Sequence, residues 1–361
     1  MPNIPPSLQS LQTALQKANI DLLVVGPTAN MRYLLHYLPH ADERLCLLLV
    51  WSDQARIVTP ELNAADFAAH TDLPLYRWVD ADGPRRALSD ALAGLPARRL
   101  AVDGGMRADF LLHLLQVTAP EQVIPAADLL TPLRARKSEA EIEALARAAA
   151  QADRAMQAAV DACRPGATEA EVAWAAEAAF RKDGAESVTF TLVASGPNGA
   201  SPHHNTGSRR LAPGDAVVID IGASLNGYQS DITRMVFLGD PPPAFRQAYQ
   251  AVLEANRQAR AAVRPGVPAQ EIDRTARRVL DEAGYGPYFI HRTGHGLGLE
   301  IHEPPWIMEG NTEPLAPGMV FSVEPGVYLP GEFGIRIEDI VAVTETGGRT
   351  LTGFSHELVV K

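Results

Sequence analysis

The C-terminal part of the sequence contains an internal repeat, and this repeat limits the fold more than any other feature. The segment RPGATEAEV at residue 164 aligns without a gap with RPGVPAQEI at residue 264. Farther along, LAPGDAVVIDIG at residue 211 matches LAPGMVFSVEPG at residue 315. Two matches in the same order predict two related α+β halves that pack face to face. In this alignment Asp220 occupies the position of Glu324, so a pseudo-twofold axis relates the two acids.

The segment VVIDIGASLNGYQSDITRM, residues 217–235, places aspartates in what is otherwise a strand pattern. Asn226-Gly227 predicts a two-residue hairpin turn, and this turn pairs Asp220 with Thr233. Asp220 and Asp231 then lie on one face as diagonal neighbours roughly 7–8 Å apart. Two buried carboxylates repel each other unless one is protonated or cations lie between them. The simpler alternative is a solvated hairpin face with ordinary surface aspartates.

Further acids in strand-like segments favour the cations. Glu324 interrupts the apolar run MVFSVEPG. In GIRIEDIVAVTE, alternation along a strand predicts that one face carries Arg336, Glu338, Ile340 and Ala342. Three strand-like segments therefore carry otherwise unexplained carboxylates, on Asp220, Asp231, Glu324 and Glu338.

Histidines cluster in the segment HRTGHGLGLEIHEPP, which supplies His291, His295 and His302. The glycines on either side of His295 are followed by Leu299, so the dinucleotide-binding fingerprint is not met. His203 lies in a similar polar loop, GASPHHNTG. A lone histidine is more often structural, but this grouping in a glycine-rich stretch favours chemistry.

Four carboxylates and one imidazole form a hard, oxygen-rich ligand set. Such a set suits Mn²⁺, with Co²⁺, Fe²⁺ or Zn²⁺ as alternatives, better than a thiolate zinc site. Four negative charges balance two divalent metal ions. The residues therefore predict metal-assisted hydrolysis, without indicating which bond is cut.

The chain length of 361 residues predicts two domains. Strand-like and helix-like segments alternate up to about Leu133, which indicates an α/β domain with a central sheet. Ser138 and Glu141 then form a capping box at the start of a long alanine-rich helix. We place the domains at residues 1–132 and 133–361.

Composition excludes several classes of protein. A net charge of −11 and a pI near 5.4 argue against nucleic-acid binding. Two cysteines make a disulfide framework improbable, and the first residues lack the pattern of a signal peptide. The run LCLLLVW is too short to span a membrane. We expect a cytoplasmic protein with no nucleic-acid or membrane partner.

Four motifs in this chain are DIGASLNGYQSDITR, HRTGHGLGLEIHEPP, SVEPGVY and GIRIED. Together, and in this order, they resemble the pita-bread metallopeptidases, specifically the Xaa-Pro peptidases: prolidases and aminopeptidases P. The segments LRARKSEAEIEAL and NMRYLLHY extend the resemblance over most of the chain. It implies an α+β pita-bread (creatinase/aminopeptidase-like) catalytic domain with an internal repeat at residues 133–361. A smaller α/β creatinase-like domain would precede it at residues 1–132.

The resemblance also implies roles for individual residues. The metal ligands would be Asp220, Asp231, His295, Glu324 and Glu338. Asp231 and Glu338 would bridge both ions, and Glu324 would also help to activate water.

Other residues would act on the substrate or on the ligands. By the same matching, His203 and His302 would contact the substrate carbonyl, and His291 would line the substrate pocket. Arg336 would orient the ligating carboxylates, with Tyr228 in a similar, more weakly indicated role.

The expected reaction is hydrolysis of the bond between an N-terminal residue and proline, in dipeptides or short peptides. Trp306 stands where some prolidases carry a basic residue that binds the substrate carboxylate. Arginines that could replace it are Arg44, Arg209, Arg210 and Arg292. Arg44, in the loop PHADER, would deliver its guanidinium from the N-terminal domain. We therefore expect a dipeptidase.

Alternatives stay open on the sequence. The first is an Xaa-Pro aminopeptidase acting on longer peptides, and a more remote one is a non-catalytic peptide- or protein-binding relative. Creatinase works without the metal ligands, and methionine aminopeptidases usually lack a preceding domain. Homodimers are common in the family, so we expect a homodimer.

Overall fold

The computed structural model describes residues 6–361 and contains two compact units, one ending at Arg134 and one spanning Ala135–Lys361. The helices are α1 (Pro6–Ala18), α2 (Ala29–Leu35), α3 (Glu61–His70), α4 (Arg85–Leu92), α5 (Ala108–Thr118), α6 (Ala127–Ala135), α7 (Glu139–Ala162), α8 (Glu169–Lys182), α9 (Pro243–Ala262) and α10 (Ala269–Glu282). No helix among the described residues is both long and apolar enough to cross a bilayer.

The strands of the N-terminal unit are β1 (Leu22–Val25), β2 (Leu47–Val50), β3 (Ala55–Pro60), β4 (Leu75–Trp78), β5 (Arg99–Val102) and β6 (Gln122–Pro125). They form one mixed sheet in the order β4-β3-β2-β1-β5-β6. Along β2, Leu48 and Val50 enter one apolar cluster while Leu47 and Leu49 enter another. The run LCLLLVW is apolar because both faces of its strand are buried.

The strands of the C-terminal unit are β7 (Ser187–Ser195), β8 (Ala216–Leu225), β9 (Tyr228–Gln229), β10 (Ile232–Phe237), β11 (Gly294–Gly296), β12 (Glu303–Ile307), β13 (Val320–Val323), β14 (Gly326–Leu329), β15 (Phe333–Arg336), β16 (Asp339–Val343), β17 (Gly348–Thr350) and β18 (Val359–Val360). One sheet has the order β18-β10-β8-β7, with β9 paired to β8, and a second has the order β12-β11-β13-β16-β17. Strands β14 and β15 form a separate pair.

The acidic hairpin has the predicted register. Leu225 pairs with Tyr228, and Asp220 pairs with Thr233. Asn226 and Gly227 have φ values of 52° and 84°, as a tight turn that matches the twist of the two strands requires. The turn sequence alone was therefore sufficient to align these strands.

The internal repeat is visible in the backbone hydrogen bonds. The Gly166 amide donates to the Leu211 carbonyl at 2.7 Å, and the Gly266 amide donates to the Leu315 carbonyl at 2.8 Å. The return bonds, from Leu211 to Ala167 and from Leu315 to Val267, are both 2.8 Å long. In each half, these bonds join the turn that precedes the second helix, α8 or α10, to the LAPG segment that precedes the acidic strand. This confirms that the two halves are built alike.

One predicted strand is interrupted. The alternation in GIRIEDIVAVTE predicts a single strand, but the structure has β15 ending at Arg336 and β16 beginning at Asp339. The first pairs with β14 and the second with β13. Between them the Glu338 amide donates to the Thr233 carbonyl at 3.3 Å. The backbone therefore leaves the strand pairing at this point and bonds to β10. The Glu338 side chain lies beside Thr233 of the acidic hairpin.

Candidate metal centre and cavity

A cavity of about 790 Å³ lies in the C-terminal unit. Most of the residues singled out in the sequence line it: His203, Asp220, Asp231, His291, His295, His302, Glu324, Arg336 and Glu338. Its apolar wall is formed by Phe190, Leu192, Pro202 and Ile301. Arg292, a candidate for binding the substrate carboxylate, also lines the cavity, whereas Tyr228, Arg209 and Arg210 do not. Arg44 belongs to the N-terminal unit.

Asp220 has one bonded and one unbonded oxygen. Arg336 Nη2 donates to Asp220 Oδ2 at 2.5 Å. Asp220 Oδ1 is buried and has no hydrogen-bond partner among the described residues. A buried carboxylate oxygen without a donor is unfavourable, so this atom is suited to a cation.

Glu338 repeats this arrangement on the neighbouring segment. Thr233 Oγ1 donates to Glu338 Oε2 at 2.7 Å, while Glu338 Oε1 is buried and unbonded within residues 6–361. Arg336 Nε also donates to Thr233 Oγ1, at 3.2 Å. Arg336 and Thr233, which are bonded to each other, therefore each hold one oxygen of a carboxylate. The other oxygen of Asp220 and of Glu338 is left for a ligand.

His295 presents a ring nitrogen to two carboxylates. Its Nδ1 lies 3.1 Å from the Gly296 carbonyl, to which it donates when it carries the proton. The other nitrogen, Nε2, lies 3.2 Å from Glu324 Oε1 and 3.6 Å from Asp231 Oδ2. Ser322 Oγ accepts from the His295 amide and donates to Glu324 Oε1, both at 3.0 Å. When Nδ1 carries the only ring proton, Nε2 has a lone pair that can bind a metal ion.

The glycines beside His295 are needed for strand packing. A Cβ on Gly294 would lie 1.8 Å from the Ser322 carbonyl oxygen, and one on Gly296 would lie 2.4 Å from the Pro304 carbonyl oxygen. The groups that approach these glycines are the backbones of β13 and β12.

The carboxylates are close enough to perturb one another. Potential ligand atoms of Asp231, His295 and Glu338 all lie within 4.8 Å of one another. Burial raises the pKa of Asp231 and of Glu338 well above their ordinary values, and the neighbouring carboxylates raise both further. Burial also raises the pKa of Asp220. The protein alone would therefore keep protons on some of these groups, whereas divalent cations would favour the ionised forms.

Asn256 of α9 supports two of the acids through their backbone. Its Nδ2 donates to the Val323 carbonyl at 2.9 Å and to the Ile337 carbonyl at 3.2 Å. These residues immediately precede Glu324 and Glu338. Asn256 could not be selected from the sequence, because a single asparagine within a helix has no distinguishing pattern.

His302 is exposed beside the acidic cluster. Its ring centroid lies 4.1 Å from that of His295. Partial burial, with the charge of His295, lowers the pKa of His302 to about 4. The imidazole is therefore neutral near pH 7 and carries one N–H donor.

The loop with His203 is held by a buried glutamate. Glu169 Oε1 accepts from the amide and the hydroxyl of Ser195, at 2.8 and 2.7 Å, and from Asn198 Nδ2 at 2.9 Å. Glu169 Oε2 lies 2.9 Å from His204 Nε2. The helix α8 thus anchors residues 195–204, which end beside the cavity.

Residues 143–345 match metallopeptidase family M24, and residues 8–136 match the creatinase/prolidase N-terminal domain. The chain belongs to family M24. It is 43% identical over 351 residues to a probable dipeptidase, PepE, of Mycobacterium bovis, covering 95% of this chain and 92% of that protein. It is 35% identical over 353 residues to the Xaa-Pro dipeptidase of Pyrococcus furiosus, covering 98% of this chain and 99% of that protein.

Solved structures give the same family. The crystal structure of the prolidase from Pyrococcus horikoshii matches with a TM-score of 0.92 and 32% sequence identity. The match covers 98% of this chain and 100% of that chain. The expected fold, a pita-bread catalytic domain after a creatinase-like domain, is confirmed. Membership of the M24 metallopeptidases implies divalent metal ions, and the two unbonded carboxylate oxygens fit that implication.

Tyr328 connects two cavity residues of this M24 chain. Arg336 Nη1 donates to the Tyr328 hydroxyl at 2.7 Å, and that hydroxyl lies 2.9 Å from His291 Nε2. Burial raises the pKa of Tyr328 to about 12 and lowers the pKa of His291. Tyr228, predicted in a role like that of Arg336, instead donates its hydroxyl to Glu141 at 3.2 Å. Tyr328 was within the motif SVEPGVY, but the motif alone assigned it no partner.

Three of the four candidate arginines have protein partners. Arg44 pairs with Asp42, Glu43 and Asp80 at 3.0–3.2 Å, within the N-terminal unit. Arg209 pairs with Asp215 at 2.6 Å. Arg210 donates to the Gly166 carbonyl at 2.7 Å. Arg292 is different and is treated separately below.

Proposed function

We propose that this protein is a prolidase that hydrolyses Xaa-Pro dipeptides with two divalent metal ions, Mn²⁺ being the preferred ion. The observation that carries the proposal is the buried acidic cluster. Within the described residues, Asp220 and Glu338 each keep one buried oxygen unbonded, and His295 Nε2 lies 3.2 Å from Glu324 Oε1 in the same cluster. The named activity of the Pyrococcus relative supports the choice of substrate.

The ligand set supports the metal proposal. The ions would be held by Asp220, Asp231, His295, Glu324 and Glu338. Oxygen donors and one imidazole suit Mn²⁺, and Co²⁺, Fe²⁺ and Zn²⁺ are the alternatives. When bound, such ions supply Lewis-acid polarisation of a carbonyl and a water that loses its proton near neutral pH.

The protein groups supply proton acceptors and donors. Burial would raise the pKa of Glu324, but the hydrogen bond and charge of His295 bring it to about 2, so Glu324 is ionised near pH 7. We assign Glu324 as the group that accepts a proton from water. His302 is neutral, and its N–H, with that of His203, would donate to the carbonyl oxygen as negative charge develops there.

The cavity wall supports recognition of proline. An Xaa-Pro bond has no N–H, and its ring needs an apolar surface. Phe190, Leu192, Pro202 and Ile301 provide such a surface in the same cavity as the acidic cluster. His291 lines this cavity too, although the proximity of its two ring nitrogens to Tyr328 and the Arg292 carbonyl indicates a positioning role.

Other features stay predictions. We propose a homodimer and a cytoplasmic location from the sequence, and Cys46 and Cys163, both buried as free thiols, are consistent with a reducing compartment. Arg44 as a ligand of the substrate carboxylate also stays a prediction. Its guanidinium would first have to release Asp42 or Asp80.

The first experiment compares peptide length. The protein is stripped with EDTA and reconstituted with Mn²⁺, and hydrolysis of Ala-Pro and Met-Pro is compared with that of matching Xaa-Pro-Yaa tripeptides. Ala-Ala serves as a dipeptide without proline. We expect fast cleavage of Ala-Pro and Met-Pro and slow cleavage of the others.

The other outcomes each have a meaning. Preference for the tripeptides would make the protein an Xaa-Pro aminopeptidase. Equal cleavage of Ala-Ala would remove the proline specificity from the proposal. No activity with Mn²⁺, Co²⁺, Fe²⁺ or Zn²⁺ would favour the non-catalytic binding relative.

A further inference from the structure

Arg292 is a cation in the cavity wall that pairs with no acid in the described part of the chain. Its side chain lines the cavity together with His302 and Glu324. Among residues 6–361 its guanidinium has neither a hydrogen bond nor an ion pair; it lies over the face of Trp306, with Cζ 4.4 Å from the ring centroid.

The other arginine of the cavity is buried, and each of its three guanidinium nitrogens already donates to a protein group. Arg336 is only 4% exposed and donates to Asp220, Tyr328 and Thr233. A substrate carboxylate is repelled by the acidic cluster unless cations cover it. It would therefore find free guanidinium donors at Arg292 and not at Arg336.

Stacking on Trp306 keeps the donors of Arg292 available. A cation–π contact uses the flat face of the guanidinium, whereas its N–H groups point outward in the plane. Those N–H groups match the two oxygens of a carboxylate in a bidentate pair. The indole also limits the rotamers of the arginine, so less side-chain entropy is lost when a ligand binds.

The backbone at Arg292 is fixed on both sides. On one side, the amide and the hydroxyl of Thr293 donate to Asp273 Oδ1 at 2.9 and 2.8 Å. On the other, Arg277 Nη2 donates to the His291 carbonyl. Both Asp273 and Arg277 lie on α10, and they pair with each other at 2.7 Å. The arginine therefore stands on a rigid segment.

A hydrogen-bond chain links this segment to the acidic cluster. Arg336 donates to Asp220 and to the Tyr328 hydroxyl, which lies 2.9 Å from His291 Nε2. His291 Nδ1 lies 2.7 Å from the Arg292 carbonyl. With the Tyr328 O–H donating to Nε2 and the Nδ1–H donating to the carbonyl, every group in the chain is satisfied. The position of Arg292 is thus set relative to Asp220.

We propose that Arg292, held on Trp306, binds the C-terminal carboxylate of an Xaa-Pro dipeptide and selects dipeptides over longer peptides. This inference rests on the proposed Xaa-Pro hydrolysis. In a dipeptide the proline carboxylate lies one residue beyond the bond to be cut. In a longer peptide a neutral amide replaces it and offers the guanidinium no negative partner.

The test uses two substrates that differ in that group alone, Ala-Pro and Ala-Pro amide. The kcat/KM of each is measured for the wild-type protein, Arg292→Gln and Arg292→Lys. For Arg292→Gln we expect kcat/KM on Ala-Pro to fall roughly 30- to 100-fold, mainly through KM, and to change little on the amide. Arg292→Lys should lie between the two, because it keeps the charge and loses the bidentate geometry.

Matched variants separate this role from general damage. Arg278→Gln removes an exposed arginine of α10 and should leave both substrates unaffected. Trp306→Leu should reproduce part of the loss on Ala-Pro, and Trp306→Phe less of it, because the stacked face shrinks. Metal content and melting temperature are measured for every variant, so that only folded, fully loaded proteins are compared.

Several results would overturn the inference. Equal losses on Ala-Pro and its amide would mean that Arg292 is merely structural, and no loss on either would exclude it from binding. Arg44→Gln is assayed in parallel; if it abolishes the preference for the free acid while Arg292→Gln keeps it, the carboxylate belongs to Arg44. Wild-type protein that cleaves neither substrate with any metal would instead overturn the proposed function, and the inference with it.

Discussion

Thr233 is the residue on which two of the acids depend. Its hydroxyl donates to Glu338 and accepts from Arg336, which in turn holds Asp220. Thr233 is fully buried, so water cannot replace the hydroxyl. One oxygen atom thus orients a carboxylate on each of two segments. We expect its loss to weaken metal binding more than it weakens the fold.

The substitution Thr233→Val keeps the shape and removes this hydroxyl. We expect Mn²⁺ affinity to fall roughly 10- to 100-fold, as for other groups that orient metal ligands. The measurement is calorimetric titration of Mn²⁺ into EDTA-stripped protein. Thr118→Val is the control, because its hydroxyl donates to the Leu114 carbonyl within α5 of the N-terminal unit. Unchanged affinity in Thr233→Val would contradict the assignment.

Some residues of the acidic cluster could be predicted from the sequence, whereas the residues that support them could not. Asp220 and Glu338 could be selected because a carboxylate in an apolar strand is conspicuous. Asn256 and Thr233 could not, because a polar residue in a helix or strand has many ordinary environments and only the packing reveals its partners. Arg292 was one of four candidates until its neighbours distinguished it.

At the scale of elements, Glu169 joins α8 to the loop that carries His203. Burial would raise the pKa of Glu169, but hydrogen bonds from Ser195, Asn198 and His204 hold it below its ordinary value. A group whose pKa is depressed by folding stabilises the protein above its unfolded pKa, and the contribution disappears as the pH falls through the folded value. Glu169 should therefore stabilise this loop at neutral pH and release it in acid.

We expect Glu169→Gln to lower the free energy of unfolding by about 2–3 kcal/mol at pH 7, because buried donors lose a charged acceptor. The difference from wild type should shrink as the pH falls from about 5 to 3. Urea unfolding at several pH values measures this, and hydrogen exchange in residues 195–207 localises it. The control Glu345→Gln removes an exposed acid with the same change of charge. A constant difference at every pH would argue against the mechanism.

A second link between elements is the ion pair of Lys137 and Glu303. The two side chains are 2% and 5% exposed and 2.7 Å apart, and they connect the start of α7 to β12 beside His302. Lys137→Met should destabilise the protein by about 3–5 kcal/mol, because it leaves a buried charge unpaired.

The double variant Lys137→Met/Glu303→Leu tests the cause. It should recover much of the lost stability, since two apolar side chains leave no unpaired charge. Thermal melts of the three proteins give the comparison. A double variant less stable than Lys137→Met would show that Glu303 has a further role in the loop.

The sequence predicted helices and strands correctly where residues close together in the chain determine the backbone conformation. The Asn226-Gly227 turn predicted the hairpin register, and the repeated LAPG and RPG segments predicted two related halves. The sequence pattern failed at Ile337–Glu338, where alternation continues but the chain changes sheets. At that point the backbone bonds to Pro325, to β10 and to Asn256, which are all distant in the sequence.

At the scale of the whole molecule, the acidic cluster couples metal content to stability. Folding raises the pKa values of Asp231 and Glu338, so their contribution to the stability of the metal-free protein is full at low pH and is lost as the pH rises through the folded values. Bound cations reverse this, because they favour the ionised ligands and bind only the folded chain.

We therefore expect the EDTA-stripped protein to melt at a lower temperature at pH 8 than at pH 6. The Mn²⁺-loaded protein should melt at a higher temperature at both pH values, with the larger gain at pH 8. Calorimetric scans of both forms make the measurement. Asp231→Asn, which removes one of the charges, should flatten the pH dependence of the stripped form. A stripped protein with no pH dependence would contradict the argument.

The repeat predicts that bound metal ions would also hold the two halves of the C-terminal unit together. Asp220 and Asp231 belong to the first half of the C-terminal unit, whereas His295, Glu324 and Glu338 belong to the second. Neither half can complete the proposed ligand set, so a bound ion would act as an internal cross-link between two parts of one chain. Fragments cut between Phe237 and Pro243 should reassociate in the presence of Mn²⁺ more tightly than in its absence. The metal would then be part of the architecture that the duplicated halves share, as well as of the chemistry.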